Sequence, residues 1–283
     1  MKTMKNISKC LAAILLVVNL SSCVDLEPEP LSFFAPENTF MDKEGLEALL
    51  ITSRKQIKWE WFGDAFNAGY CETPLVYEYA WSDVSVMGAP EVKEIHNLET
   101  QLTPTTSMAL HLRYWDLAWN GIKYANTVIS RVPKSTIDNE TDKNELLAEG
   151  YFHRAYWYYL LVNQWGDVPL LLEEITEPKL DFYTVSRMKI LQQMKTDMEF
   201  AVKWLPKNVK PGCVNRAAGE HLLAKIYLST GDFQLAVDAT TRCINDYGLH
   251  LMKERFGVNA EDASLDVFND LFQEDNISSS ENK

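Results

Sequence analysis

Basic residues are in short supply: 27 Lys and Arg stand against 40 Asp and Glu in 283 residues, a formal net charge of −13. A nucleic-acid partner is therefore not expected, because phosphate backbones are held through clustered Lys and Arg. The same negative charge repels anionic lipid, so membrane attachment needs something other than a basic face. Cysteine is scarce as well, with five residues and no Cys-x-x-Cys pair. Neither a disulfide framework nor a zinc site follows. His96, His111, His153, His221 and His250 are scattered without ligand spacing and read as ordinary surface or core histidines. The sequence lacks HExxH, GxSxG and a phosphate-cradling glycine loop, so no catalytic residue, metal or cofactor is expected. Carboxylates are numerous enough for a glycosidase pair, but nothing in the sequence pairs them, and the chain reads as a non-enzyme.

What is present begins at the amino terminus. Lys2, Lys5 and Lys9 precede an apolar run of ten residues from Leu11 to Leu20. That run is too short to span a bilayer and has the form of a signal peptide over residues 1–22. Leu20-Ser21-Ser22-Cys23 follows, small residues before a cysteine, which resembles a bacterial lipobox. Cys23 is then the lipid anchor; the alternative is an ordinary signal peptide with an incidental cysteine. Residues 23–32 form an acidic, proline-containing tether. With Cys10 discarded along with the signal peptide, Cys71, Cys213 and Cys243 remain, and the last falls at an inward helical position and reads as core.

From Met108 onward the periodicity is helical. Leu110, Tyr114, Leu117, Gly121, Tyr124 and Val128 recur at three- and four-residue steps, with Trp115, Trp119, Ile122, Asn126 and Ile129 as a second stripe. A helix apolar over so wide an arc must be packed on two sides. It ends at Val132-Pro133. The stretch from Lys134 to Asn144 reads as a polar connection into a second helix that starts at Glu145 and breaks at Gly166-Asp167, with Pro169 marking an extended exit. A third helix runs from a cap at Ser186 to Pro206. Then Leu223, Ala224, Tyr227, Gly231 and Ala236 occupy the small and large positions of a tetratricopeptide-like hairpin, although any antiparallel helical pair could carry them.

Residues 33–107 are less regular. One helix is expected between Phe34 and about Lys58, starting at Glu37, Thr39 or Asp42. Beyond it Trp59, Trp61, Phe62, Phe66, Tyr70, Tyr77, Tyr79 and Trp81 are interspersed with Asp64, Asn67, Glu72, Glu78 and Asp83, and no single period fits them. Flat aromatic faces beside planar polar groups suit the C–H faces and hydroxyls of a sugar. Trp59, Trp61, Asp64, Trp81 and Asp83 are the candidate ligand contacts, with core or partner packing as the competing explanation.

The segment from Ala148 to Leu170, AEGYFHRAYWYYLLVNQWGDVPL, resembles the signature helix of SusD/RagB lipoproteins. The helix from Trp115 to Ile129 with its Ala-Asn pair, the Arg187, Ile190, Asp197, Ala201, Leu205-Pro206 pattern and the following hairpin are similar in order and spacing. The resemblance implies a mainly α fold, tetratricopeptide-like hairpins forming a SusD-like superhelical scaffold over residues 33–283, with an irregular, loop-rich amino-terminal segment. It also implies a lipid-anchored, outward-facing outer-membrane protein that binds an oligosaccharide and delivers it to a SusC-like TonB-dependent transporter. Arg154 and Asp167 are expected to hold the end of the signature helix together. Family members generally continue for a second half. On that comparison the chain reads as truncated, with Leu265, Val267, Phe268, Leu271 and Phe272 left as an exposed patch. A helical-repeat interaction scaffold, or a remnant without a competent ligand site, are the alternatives.

Overall fold

The structure, a computed structural model, describes residues 40–62, 82, 84 and 109–276. All of them lie in one compact unit, Phe40–Lys283. Among the described residues six helices come in order, each packed on the next: α1 (Lys43–Phe62), α2 (Ala109–Arg131), α3 (Glu140–Gln164), α4 (Arg187–Trp204), α5 (Arg216–Thr230) and α6 (Phe233–Asn245). A short α7 (Val267–Leu271) comes after them. Between α3 and α4 the chain forms two two-residue strands, β1 (Val168–Pro169) and β2 (Thr184–Val185), paired antiparallel with Val168 opposite Val185.

The doubly striped α2 is indeed packed on two sides. Its residues Leu117, Ala118 and Ile122 join the larger core with α3, α4, α5 and α6, while Val128 joins a smaller core with Leu46, Leu49 and Leu50 of α1 and Leu146 of α3. The helices approach closely where one of them carries glycine. A Cβ at Gly121 would run into the indole of Trp157, a fully buried ring on α3.

Helix ends follow local chemistry, and three depart from the sequence expectation. Helix α3 begins at Glu140 rather than Glu145, because Asn139 accepts hydrogen bonds from the Thr141 and Asp142 N–H groups and caps it. Helix α1 starts beside Asp42, whose carboxylate accepts from Gly45 N–H at 2.8 Å, and it runs on to Phe62 instead of ending near Lys58. Ser186 makes no side-chain cap for α4; the Asp167 carboxylate instead accepts from Arg187 N–H at 2.8 Å. The α5–α6 turn is as expected, with Gly231 in the left-handed region and Asp232 N–H returning to the Tyr227 carbonyl. Asp232 also takes Lys195 of α4 at 2.8 Å, which ties the turn to the preceding helix.

Cys243 is half-buried, its thiol 3.7 Å from the Ala217 carbonyl, so it sits at the α5–α6 seam rather than in the core proper. Phe268 and Phe272 are exposed and lie against each other at 4.9 Å. Beneath them Arg255 pairs with the buried Asp270 and donates to the carbonyls of Asn259, Asp262 and Leu265.

Candidate functional site

One face of α2 carries Trp115, Trp119, Ile122, Lys123 and Asn126, spaced by three and four residues so that all line the same side. Opposite them runs the arm of residues 170–183 that links β1 to β2. Together they enclose a cavity of about 580 Å³, completed by Leu171, Ile175 and Phe182 from the arm. That volume falls within the roughly 300–1,000 Å³ usual for small-molecule sites.

The base of the arm is fastened by a set of polar anchors. Tyr158 of α3 accepts from Leu171 N–H at 2.6 Å and shares its own proton between the Pro169 and Leu171 carbonyls. Burial pushes the Tyr158 phenol well above its ordinary range, so it stays a donor. Asn126 donates to the Leu171 carbonyl at 3.0 Å, and Arg154 donates to the Leu172 carbonyl at 2.7 Å. Further along, Glu174 N–H reaches the Ser130 hydroxyl and its carboxylate pairs with Arg131 at 2.6 Å. Arg154 is the hub. Its other hydrogen bonds go to Asn126 Oδ1 at 3.1 Å and to both oxygens of Asp197 on α4, at 2.8 and 3.0 Å. The expected joint role of Arg154 and Asp167 is thus corrected: Arg154 binds α2, α4 and the arm, whereas Asp167 starts α4.

A second buried polar group joins α1 to α3. Arg54 pairs bidentately with Glu149, with the second contact at 2.8 Å, and the fully buried His153 ring lies 3.4 Å from the same carboxylate. Burial works to raise the Glu149 pKa, but the His153 and Arg54 contacts outweigh it and hold the carboxyl below its ordinary range. Among the described residues no group of three or more His, Cys, Asp or Glu is placed to hold a metal ion, and no helix is long and apolar enough to cross a membrane.

The residues singled out from the sequence are distributed differently. Trp59 and Trp61 both lie in the last turns of α1, not at the start of an irregular segment. Two positions apart on a helix, they point to nearly opposite sides. Trp59 packs against the larger core with Lys55 Nζ 4.7 Å above its ring, and Trp61 is exposed. Neither lines the cavity. Asp64, Trp81, Asp83 and Cys23 lie outside the described residues. What sequence reasoning missed is the cavity itself. The signal was available in the second stripe of α2, where Trp115 and Trp119 looked like packing residues; the arm opposite them carries no motif.

Residues 71–228 match the model of the SusD-like family described as "Starch-binding associating with outer membrane". The chain belongs to the SusD-like family. A SusD-like protein of Formosa agariphila is 27% identical over 238 residues, which is 82% of this chain and 45% of that protein. The chain therefore spans less than half the length of that relative. The fold is that of a SusD superfamily protein from Bacteroides vulgatus, with TM-score 0.69 at 19% identity over 86% of this chain and 49% of the other. It is also that of surface glycan-binding protein A from Bacteroides thetaiotaomicron, with TM-score 0.66 at 19% identity over 85% of this chain and 48% of the other. The helical SusD-like scaffold expected from the signature helix is thereby observed.

Proposed function

We propose that this SusD-like chain captures an oligosaccharide at the cell surface and presents it to a SusC-like TonB-dependent transporter in the outer membrane. The observation that carries this reading is the family match over residues 71–228, a family described by starch binding and outer-membrane association. Likeness in fold to a surface glycan-binding protein supports it. Trp61, exposed on α1, together with Asp64, Trp81 and Asp83 supplies the proposed sugar contacts; Trp59, half-buried, contributes an edge at most. The anchor is the acylated Cys23, supported by the basic start, the apolar run and Leu20-Ser21-Ser22 before it. Sugar bound by stacking and hydroxyl contacts is released intact, so no catalytic group is required.

The test is electrophoresis of the purified protein through gels containing starch, laminarin or xyloglucan. Retardation by at least one, relieved in Trp61→Ala, is the expected result, and free migration in all of them would overturn glycan capture. For the anchor, Cys23→Ser should move the protein from the membrane fraction to the soluble one. A second reading, an interaction scaffold without glycan affinity, is favoured by the exposed Phe233, Val237 and Ile244 along one side of α6. Co-purification with the transporter in the absence of any gel retardation would select it.

A further inference from the structure

The arm that walls the cavity is fastened at both ends and free between them. On the way out from β1 it is held as far as Glu174 by Tyr158, Asn126, Arg154, Ser130 and Arg131. On the way back Thr184 and Val185 pair with β1, and Arg187 N–H donates to Asp167. Residues 175–182 have no hydrogen bond or ion pair to any other described residue. Their polar contacts are internal: Lys179 Nζ lies 3.1 Å from Asp181 and 5.8 Å from the centre of the Phe182 ring. Every residue from 175 to 184 is exposed.

For so exposed a stretch the composition is apolar. Ile175, Leu180, Phe182 and Tyr183 are among its residues, and Leu180 is 97% exposed. The chain bends at Glu177 and then runs without turn or helix into β2. Alternate side chains of an extended chain share a side. Leu180 therefore sits on the side of Phe182, which lines the cavity, while Lys179 and Asp181 keep their ion pair on the side turned to water. Across the cavity stand Trp115, Trp119 and Ile122 of α2. Bringing Leu180 against them removes apolar surface from water on both partners. The opposing loss of chain entropy is small, because both ends of the segment are already fixed.

We infer that residues 178–183 are a hinged strap, open in this structure, that swings about the bend at Glu177 and the start of β2 to seat Leu180 in the cavity against Trp115 and Trp119. The closed strap occupies the cavity from within the chain, so any other occupant has to displace it. The device belongs to the arm alone and does not rest on the sugar contacts proposed above.

NMR of the full chain with labelled leucine methyls tests this directly, the Leu180 signals being assigned by their loss in Leu180→Val. The Leu180 methyls should be displaced upfield by the indole rings and should show cross-peaks to ring protons of Trp115 or Trp119, and both features should persist on dilution. Methyls at the positions of a fully solvated leucine, with no cross-peak to either indole, would overturn the inference. Cross-peaks that fade on dilution would overturn it too, because they would place the leucine of a second chain in the cavity. Trypsin gives an independent readout, since its cutting after Lys179 follows the open fraction. Leu180→Ser should speed that cut about threefold, the effect of losing one buried leucine less the ordering of the strap, whereas Phe233→Ser on α6 should leave it unchanged. With each rate referred to that of its own unfolded chain, a Leu180→Ser protein cut no faster than the unsubstituted one would mean that the strap does not close. None of these readouts involves a polysaccharide, so the strap and the glycan reading fail separately.

Discussion

Arg154 shows how much a single side chain can be asked to do. It and Asp197 are only 3% and 4% exposed, and the guanidinium also satisfies Asn126 and the Leu172 carbonyl. Removing one partner of such a pair leaves the other charged and buried, at a cost of about 3–5 kcal/mol. Arg154→Met should lower the denaturant midpoint accordingly, and adding Asp197→Leu should recover part of the loss; a double variant with strictly additive losses would show the two are not coupled. Glu149 governs a different property. Its folded pKa lies below the ordinary value of 4.5, so its contribution is fully present above that pH and is lost as pH falls through the folded value. Acid unfolding should therefore steepen below about pH 4, and Glu149→Gln should flatten that limb when midpoints are compared across pH.

At the scale of elements, the boundaries tell how much a linear reading can see. The helix-breaking Gly166-Asp167 and the turn at Gly231 were legible because each rests on a local backbone requirement. The start of α3 was not, since Glu140, Thr141 and Asp142 look like a polar connection until Asn139 is seen to cap them. Asn139→Ala should cost about 1 kcal/mol and fray the first turn, visible as faster amide exchange at residues 141–143. The order of helices and the family were readable from small and large residues at fixed spacing. The cavity was not, because it needs residues 115–126 to face residues 169–182, a pairing made by Tyr158, Asn126 and Arg154 across elements. Trp59 and Trp61 show the same limit from the other side. Aromatic density suggested a platform, yet a helix turns adjacent residues about 100° apart and separates the two.

Among the described residues each helix packs on the next, and α6, the last of the six, keeps an exposed apolar side. Its buried side, Ala236 and Ala239, faces α5, and Phe233, Val237 and Ile244 stand exposed on the adjacent side. An apolar strip of this kind promotes association. The purified chain should self-associate as concentration rises, measurable by sedimentation velocity, and Phe233→Ser with Ile244→Ser should shift it toward monomer while leaving helicity unchanged. A monomer at all concentrations in the unsubstituted chain would mean that the strip is covered in solution.

The β1–β2 arm is firmly tied where it leaves β1 and bare on its return to β2, where Leu180 is 97% exposed and Tyr183 79%. Chymotrypsin should therefore nick the chain near these residues before it attacks any helix. Because α2 and α3 lie on one side of the nick and α4 to α6 on the other, and Arg154 with Asp197 bridges the two, the halves should travel as a single species on a sizing column and come apart only under denaturing conditions. The arm thus offers a ready route to a two-piece version of the protein, whose parts could be produced apart and recombined.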